Sequence, residues 1–172
     1  MEILDIYDRD KHPTGKTILR GRRLRRGEYT LMVHVWLYNA QGELLIQKRA
    51  QNKSYGRMWA ATGGAVLAGE GSRQAAVRET QEELGICLVP QEGVLFRELR
   101  VTRPHFSRLV DVWIFPTQVL AGELKLQSSE VSQAMWVDPG ELDRMIQQGR
   151  FLNGYPYFQE LMDYLKTQVW VG

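Results

Sequence analysis

A chain of 172 residues with 44% apolar and 24% charged content has the length and make-up of one folded domain with a sizeable core. A formal net charge of +2 supplies no whole-chain field for nucleic acid or an anionic membrane, and no apolar run approaches the roughly 20 residues of a spanning helix. A single cysteine, Cys87, excludes an internal disulfide, and the N-terminus MEILDIYDRD has no apolar signal core, so a cytoplasmic setting is expected.

Taken in order, Ile3 to Tyr7 alternates weakly and predicts a short strand. Asp8 to Gly15 predicts a turn from its Asp, Pro and Gly, with His12 solvated in it. Thr17 to Arg26 carries Arg20, Arg22, Arg23, Arg25 and Arg26, split by Leu19 and Leu24. Such a cluster can be a solvated edge that blocks sheet association, a clamp for substrate phosphates, or a nucleic-acid contact. The solvated edge is the leading expectation, since the interleaved aromatics of single-strand binders are absent. Tyr29 to Tyr38 is short, β-branched and aromatic, and predicts a central strand in which His34 is structural. Asn39 to Gly42 turns the chain into a second strand, Glu43 to Lys48, to make a hairpin. Arg49 to Gly56 predicts a loop, and Met58 to Gly63 another strand.

Gly64 to Ile86 reads as a loop followed by a helix, with Ser72 as its N-cap and Gly85 at a C-terminal position of positive φ. Ala76, Thr80 and Leu84, widened by Val77, predict a packed stripe. Glu79, Glu82 and Glu83 stand at i, i+3 and i+4 and are expected to share another face. Like charges at that spacing repel by roughly a few tenths of a kcal/mol, a sign that a divalent cation reverses. Taken alone, such a face reads first as a solvated one, since charge runs usually are.

Cys87 follows as a small buried hydrophobe rather than a nucleophile. Strand material lies around Val94 to Leu99, and Thr102 to Ser107 breaks it, with His105 expected in solvent. Leu109 to Val119 predicts a buried strand, Gly122 to Val131 a loop and Met135 to Val137 a short strand. Asp138-Pro139-Gly140 opens a helix running to Gln148. Pro156 to Lys166 predicts a last helix with Phe158, Leu161, Met162 and Leu165 on one side. Strands on both sides of one acidic helix, with helices at the C-terminal end, imply a mixed sheet in α/β/α layers, within one domain over residues 1–172.

The spacing of Gly64, Glu70, Arg78-Glu79, Glu82-Glu83 and Gly85-Ile86 resembles the Nudix box, with Thr80 departing from its usual bulky aliphatic residue. The resemblance implies an α+β Nudix fold, an α/β/α sandwich with a mixed β-sheet. It also implies a pyrophosphohydrolase dependent on Mg²⁺ or Mn²⁺ that cleaves a diphosphate linkage in a nucleoside diphosphate derivative by metal-assisted attack of water. Carried over residue by residue, Glu82 and Glu83 are metal ligands with Glu79 and the Gly64 carbonyl. Glu79 is alternatively the base, and Arg78 orients the glutamates. Glu70 supports them by pairing or through water, and Glu130 is the added acidic residue from a loop outside the box. No substrate-binding residue is assigned. The expected partner is a small-molecule diphosphate, with no membrane and no nucleic acid, while a homodimer stays open.

The stretch EYTLMVHVWLYNAQGELLIQKRAQNKSYGRMW resembles the branch that includes isopentenyl diphosphate isomerase. That branch implies a cysteine in the strand before the box, and this strand reads WAATG. The expectation is therefore a hydrolase on an isomerase-like scaffold. The alternatives are an isomerase-like enzyme and a non-catalytic nucleotide- or RNA-binding module, the latter disfavoured by the intact glutamate set.

Overall fold

The computed structural model describes residues 1–171. Its strands are β1 (Ile3–Tyr7), β2 (Pro13–Leu19), β3 (Thr30–Tyr38), β4 (Leu44–Arg49), β5 (Trp59–Ala60), β6 (Thr62–Ala65), β7 (Val94–Val101), β8 (Arg108–Pro116) and β9 (Val131–Val137). Its α-helices are α1 (Ser72–Leu84), α2 (Pro139–Gln147) and α3 (Phe158–Tyr164).

β3 is the spine. On one side it pairs in parallel with β8 over its whole length, from Thr30↔Arg108 to Tyr38↔Pro116. On the other side it is shared. Met32 to Val35 pair antiparallel with β6, while Leu37 and Tyr38 pair with β4. Trp36, between them, pairs with neither, and the sheet splits there. The expected β3–β4 hairpin thus shrinks to two residue pairs, because β4 turns away to run antiparallel to β9 from Leu44 to Arg49. The strand expected before the box likewise divides into β5, which joins β4, and β6, which joins β3. Pairing along β4 also lengthens β9 beyond the expected Met135 to Val137. β2 takes up Pro13 to Gly15, which the sequence placed in a turn, by pairing with β1.

Alternation along β3 feeds two cores. Leu31, Val33, Val35 and Leu37 pack with Ala75, Ala76 and Leu84 of α1. Trp36 packs on the opposite face with Leu142 and Met145 of α2 and with Leu161 and Leu165 from the α3 region. The layers are α1, mixed sheet, and α2 with α3, the α/β/α order expected. Ala75 and Ala76 bring α1 close to the sheet, and the buried Thr80 hydroxyl is satisfied by donating to the Ala76 carbonyl at 2.8 Å. Gly63 permits the close approach of β6 to β3, since a Cβ there would lie 2.4 Å from the Val33 carbonyl oxygen.

The β1–β2 pair is fastened to the sheet by a buried charge that sequence reading did not single out. Lys11 donates to Asp111 of β8 at 2.7 and 2.8 Å and also contacts Glu98 of β7. Asp111 is 2% exposed, and both of its carboxyl oxygens accept from Lys11.

His34 is structural, as expected. The Trp36 indole N–H donates to the Tyr157 hydroxyl at 2.9 Å, and the hydroxyl's own proton has His34 Nδ1 as acceptor at 2.8 Å. That chain needs a neutral imidazole. Burial, helped by the charge of Arg108, pushes the His34 pKa from 6.5 down to about 4. An unfolded chain binds this proton near pH 6.5 and the folded chain only near 4, so stability rises with pH in that window. The contribution is complete above pH 6.5 and is lost as the pH falls toward 4. Urea midpoints measured across this range are expected to fall more steeply for the wild type than for His34→Gln, and parallel curves would contradict the assignment.

Candidate active site

The helix α1 begins one residue earlier than its sequence suggested. Gly71 is the N-cap, with extended backbone, and its N–H donates to Gln74 Oε1 at 2.8 Å. Ser72 is instead taken by the sheet, its hydroxyl accepting from the Trp113 indole at 3.1 Å. The C-terminal end is as expected, with Gly85 at φ 73° and its N–H on the Gln81 carbonyl. The carbonyls of Glu83 and Leu84 accept from Gln127 and Lys125, so the loop before β9 closes the end of the helix.

The three glutamates do not share one face. Glu79 and Glu83, one turn apart, are 8% and 6% exposed and lie with Ala76 and Thr80 on the side that meets the sheet. Glu82 sits about 100° around the axis from Glu83 and stays half-exposed. Charged side chains were therefore drawn into the packed side of the helix at the point where the sheet divides.

Arg78 organises the first half of the site. Its Nε and Nη2 donate to the two oxygens of Glu70 at 2.8 and 2.9 Å, a bidentate pair. Nη2 also reaches the Ala65 carbonyl at 2.9 Å. Nη1 donates to Glu79 Oε1 at 2.8 Å and to Glu82 Oε2 at 3.3 Å. One guanidinium thus links the loop, the end of β6 and two glutamates. Against the cost of its burial, Arg78 holds the Glu70 carboxyl below the usual range. For Glu79 burial wins, and its pKa is raised despite Arg78.

Gln47 organises the second half. From β4 its amide donates to Glu83 Oε2 at 2.7 Å, and its carbonyl oxygen accepts from the Thr62 hydroxyl of β6 at 3.1 Å. The two strands that flank the split thereby aim Glu83. Burial pushes the Glu83 pKa up to about 7, the Gln47 bond resists it, and the charges of Glu79 and Glu130 add to it. Sequence reading missed Gln47. Its signal was a polar residue directly after the apolar run Leu44 to Ile46, at a position whose side chain faces α1.

Gly64 is the floor beneath Glu79. A Cβ there would fall 2.2 Å from the Glu79 carboxyl, so only glycine leaves room for it. Glu130 contributes its field to Glu83 while its carboxyl pairs with Lys53 at 2.6 Å. Cys87, expected buried, is exposed two residues beyond the helix cap. The helix ends at Leu84, and the bend at Gly85 turns Ile86 inward and Cys87 outward. His12 is exposed beside Asp8, and His105 is exposed as expected.

Among the described residues, no three His, Cys, Asp or Glu side chains are grouped to hold a metal ion in this arrangement. The donor set nevertheless suits a hard divalent cation. It comprises two buried carboxylates, with Glu79 raising the proton affinity of Glu83, beside a backbone surface cleared of any Cβ. Only Glu79 of the two is hydrogen-bonded to a cationic group.

Comparison with known proteins agrees with this geometry. The NUDIX domain family model matches residues 28–157. The Nudix hydrolase lmo0368 of Listeria monocytogenes is 38% identical over 165 residues, covering 92% of this chain and 90% of its own. YfcD of Salmonella typhi, another Nudix hydrolase, is 32% identical over 150 residues, covering 82% of this chain and 74% of its own. In fold, the chain is similar to DR0079 of Deinococcus radiodurans, with a TM-score of 0.74 at 24% identity over 94% of this chain and 98% of that one. It is also similar to the NUDIX domain of Shewanella oneidensis NrtR, a complex with ADP ribose, with a TM-score of 0.61 at 15% identity over 82% and 88% of the two chains. With the box residues gathered around Arg78 and a family match over most of its length, the chain belongs to the Nudix hydrolase family.

Proposed function

We propose that this chain, as a single domain, is a divalent-cation-dependent pyrophosphohydrolase that cleaves the diphosphate linkage of a nucleoside diphosphate derivative by attack of water. The observation that carries the reading is the pair of buried carboxylates, Glu79 and Glu83, held between Arg78, Gln47 and Gly64. A protein that only packed this helix would have no use for two desolvated carboxylates, each of which costs folding free energy.

Each residue has a task in this reading. Glu83, fixed through Oε2 by Gln47, would hold Mg²⁺ or Mn²⁺ with its remaining oxygen. Glu79, fixed through Oε1 by Arg78, offers Oε2 as a second ligand or as the acceptor of a proton from water. Glu82 and the Gly64 carbonyl would complete the ligand set, and Glu130, paired here with Lys53, would be the added acidic residue. Glu70 keeps Arg78 in place. The bound cation would supply positive charge against the phosphate oxygens and acidify a water. The NrtR complex with ADP ribose, a nucleoside diphosphate derivative, supports the substrate class. The isomerase-like alternative has no matching group, because Ala60, Ala61 and Thr62 carry no thiol and Cys87 is exposed beyond the helix end.

Turnover of nucleoside diphosphate derivatives is expected to require Mg²⁺ or Mn²⁺, and either ion to raise the melting temperature. Full turnover in excess chelator would refute the assignment. Glu83→Gln is expected to lower kcat by at least about 10²-fold without loss of fold, the scale of one removed electrostatic contact. Gly64→Ala is expected to lower it as well, by displacing the Glu79 carboxyl. Thr80→Val, beside both glutamates but away from the chemistry, is expected to stay within about threefold of wild type, and a dead Thr80→Val with an active Glu83→Gln would reverse the account.

A further inference from the structure

A cavity of about 620 Å³ opens next to the site, within the size range of small-molecule pockets. Ala65 lines it, the residue whose carbonyl accepts from Arg78. Arg20 lines it too, paired at 2.6 Å with Glu2, whose charge is felt at Glu79. The cavity therefore reaches the site through Ala65, at the end of β6, while the catalytic carboxylates themselves stand outside its lining.

Its lining is one-sided in charge. Arg20, Arg22, Arg103 and Arg108 face it, and no Asp or Glu does. Among the described residues, Arg22, Arg103 and Arg108 have no carboxylate partner, and Arg108 is left with the Met32 sulfur at 3.4 Å. Unpaired guanidinium groups converging on a concavity recognise phosphate. Two large aromatic faces, Tyr55 and Phe106, are 70% and 57% exposed at the same cavity. Exposed aromatics there suit the stacking of a nucleobase.

The walls are built rather than incidental. The loop carrying Arg22 is tied to the loop carrying Arg103 by the Leu24 N–H on the His105 carbonyl at 3.0 Å. Buried Ser107 clamps Arg103 by accepting from its N–H at 3.0 Å and donating to its carbonyl at 2.8 Å. Tyr55 and His105 both hold positive φ, 56° and 64°, a backbone strain that collects at ligand clamps.

We propose that this cavity is the specificity pocket and takes the nucleotide part of a substrate that carries a phosphate group besides the cleaved diphosphate. Its identity as a substrate pocket rests on the hydrolase reading above. Three unpaired arginines, with Arg20 beside them, exceed what a single scissile diphosphate, already facing a divalent cation in the proposed reading, requires. The arginine cluster of the sequence accordingly divides: Arg20 and Arg22 enter the pocket, whereas Arg23, Arg25 and Arg26 stand outside its lining and are exposed.

The test is calorimetric titration of the full chain in chelator, where no turnover occurs, with adenosine 3′,5′-bisphosphate and adenosine 5′-monophosphate. The bisphosphate is expected to bind at least tenfold more tightly, with affinity falling as salt is added. Arg22→Gln/Arg103→Gln, two exposed positions, is expected to lose at least tenfold of that affinity, and Arg25→Gln/Arg26→Gln to keep it. Equal binding of the two nucleotides, salt-independent binding, an unaffected Arg22/Arg103 double variant, or an equal loss in the Arg25/Arg26 double variant would each overturn the proposal. The two readings fail separately. Absence of any diphosphate cleavage with Mg²⁺ would leave the titration result standing, whereas wild-type affinity in the Arg22/Arg103 double variant would remove the pocket and leave hydrolysis intact.

Discussion

Two carboxylates held out of water on one turn of helix set the terms for everything around them. Burial favours the protonated form of both Glu79 and Glu83, and their mutual repulsion adds to it at Glu83. The fold does not relieve this by exposing them. It gives Glu79 half of a guanidinium and Glu83 one amide, and leaves one oxygen of each without a protein donor among the described residues. In the proposed reading a site so arranged has affinity in reserve for a cation, and a chain selected only for stability would have replaced these side chains with apolar ones.

The split sheet is what makes that burial possible. Because β3 gives its first half to β6 and its last two residues to β4, a gap opens opposite Trp36. Gln47 and Thr62 face each other across that gap, and Glu83 enters it from α1. Glycine is required twice on β6 for different reasons. Gly63 lets the strand approach the β3 backbone, and Gly64 clears space for the Glu79 carboxyl. The first glycine of the sequence motif thus has a direct steric meaning.

Elements carried by local signals were legible in the sequence. The apolar run of β3, the Asp138-Pro139 start of α2, the apolar face of α3 and the left-handed Gly85 all depend on nearest neighbours along the chain. The box residues were legible for the same reason, since their spacing lies within one loop and one helix. What escaped was set by long-range pairing. Gln47 meets Glu83 across 36 residues, Lys11 meets Asp111 across 100, and Leu24 meets His105 across 81 (105 − 24). Ser72 lost its capping role to Trp113, a residue 41 positions away. The shared acidic face failed because helical spacing places three glutamates near one another but does not say where the sheet will open.

The central claim is that buried carboxylates activate water against a diphosphate linkage. Its most direct measurement is turnover of a nucleoside diphosphate derivative with Mg²⁺ in ¹⁸O-labelled water, followed by mass analysis of the products. The account predicts one solvent oxygen in a phosphate product per cleavage. Turnover of isopentenyl diphosphate to its allylic isomer, with no label entering phosphate, would contradict it.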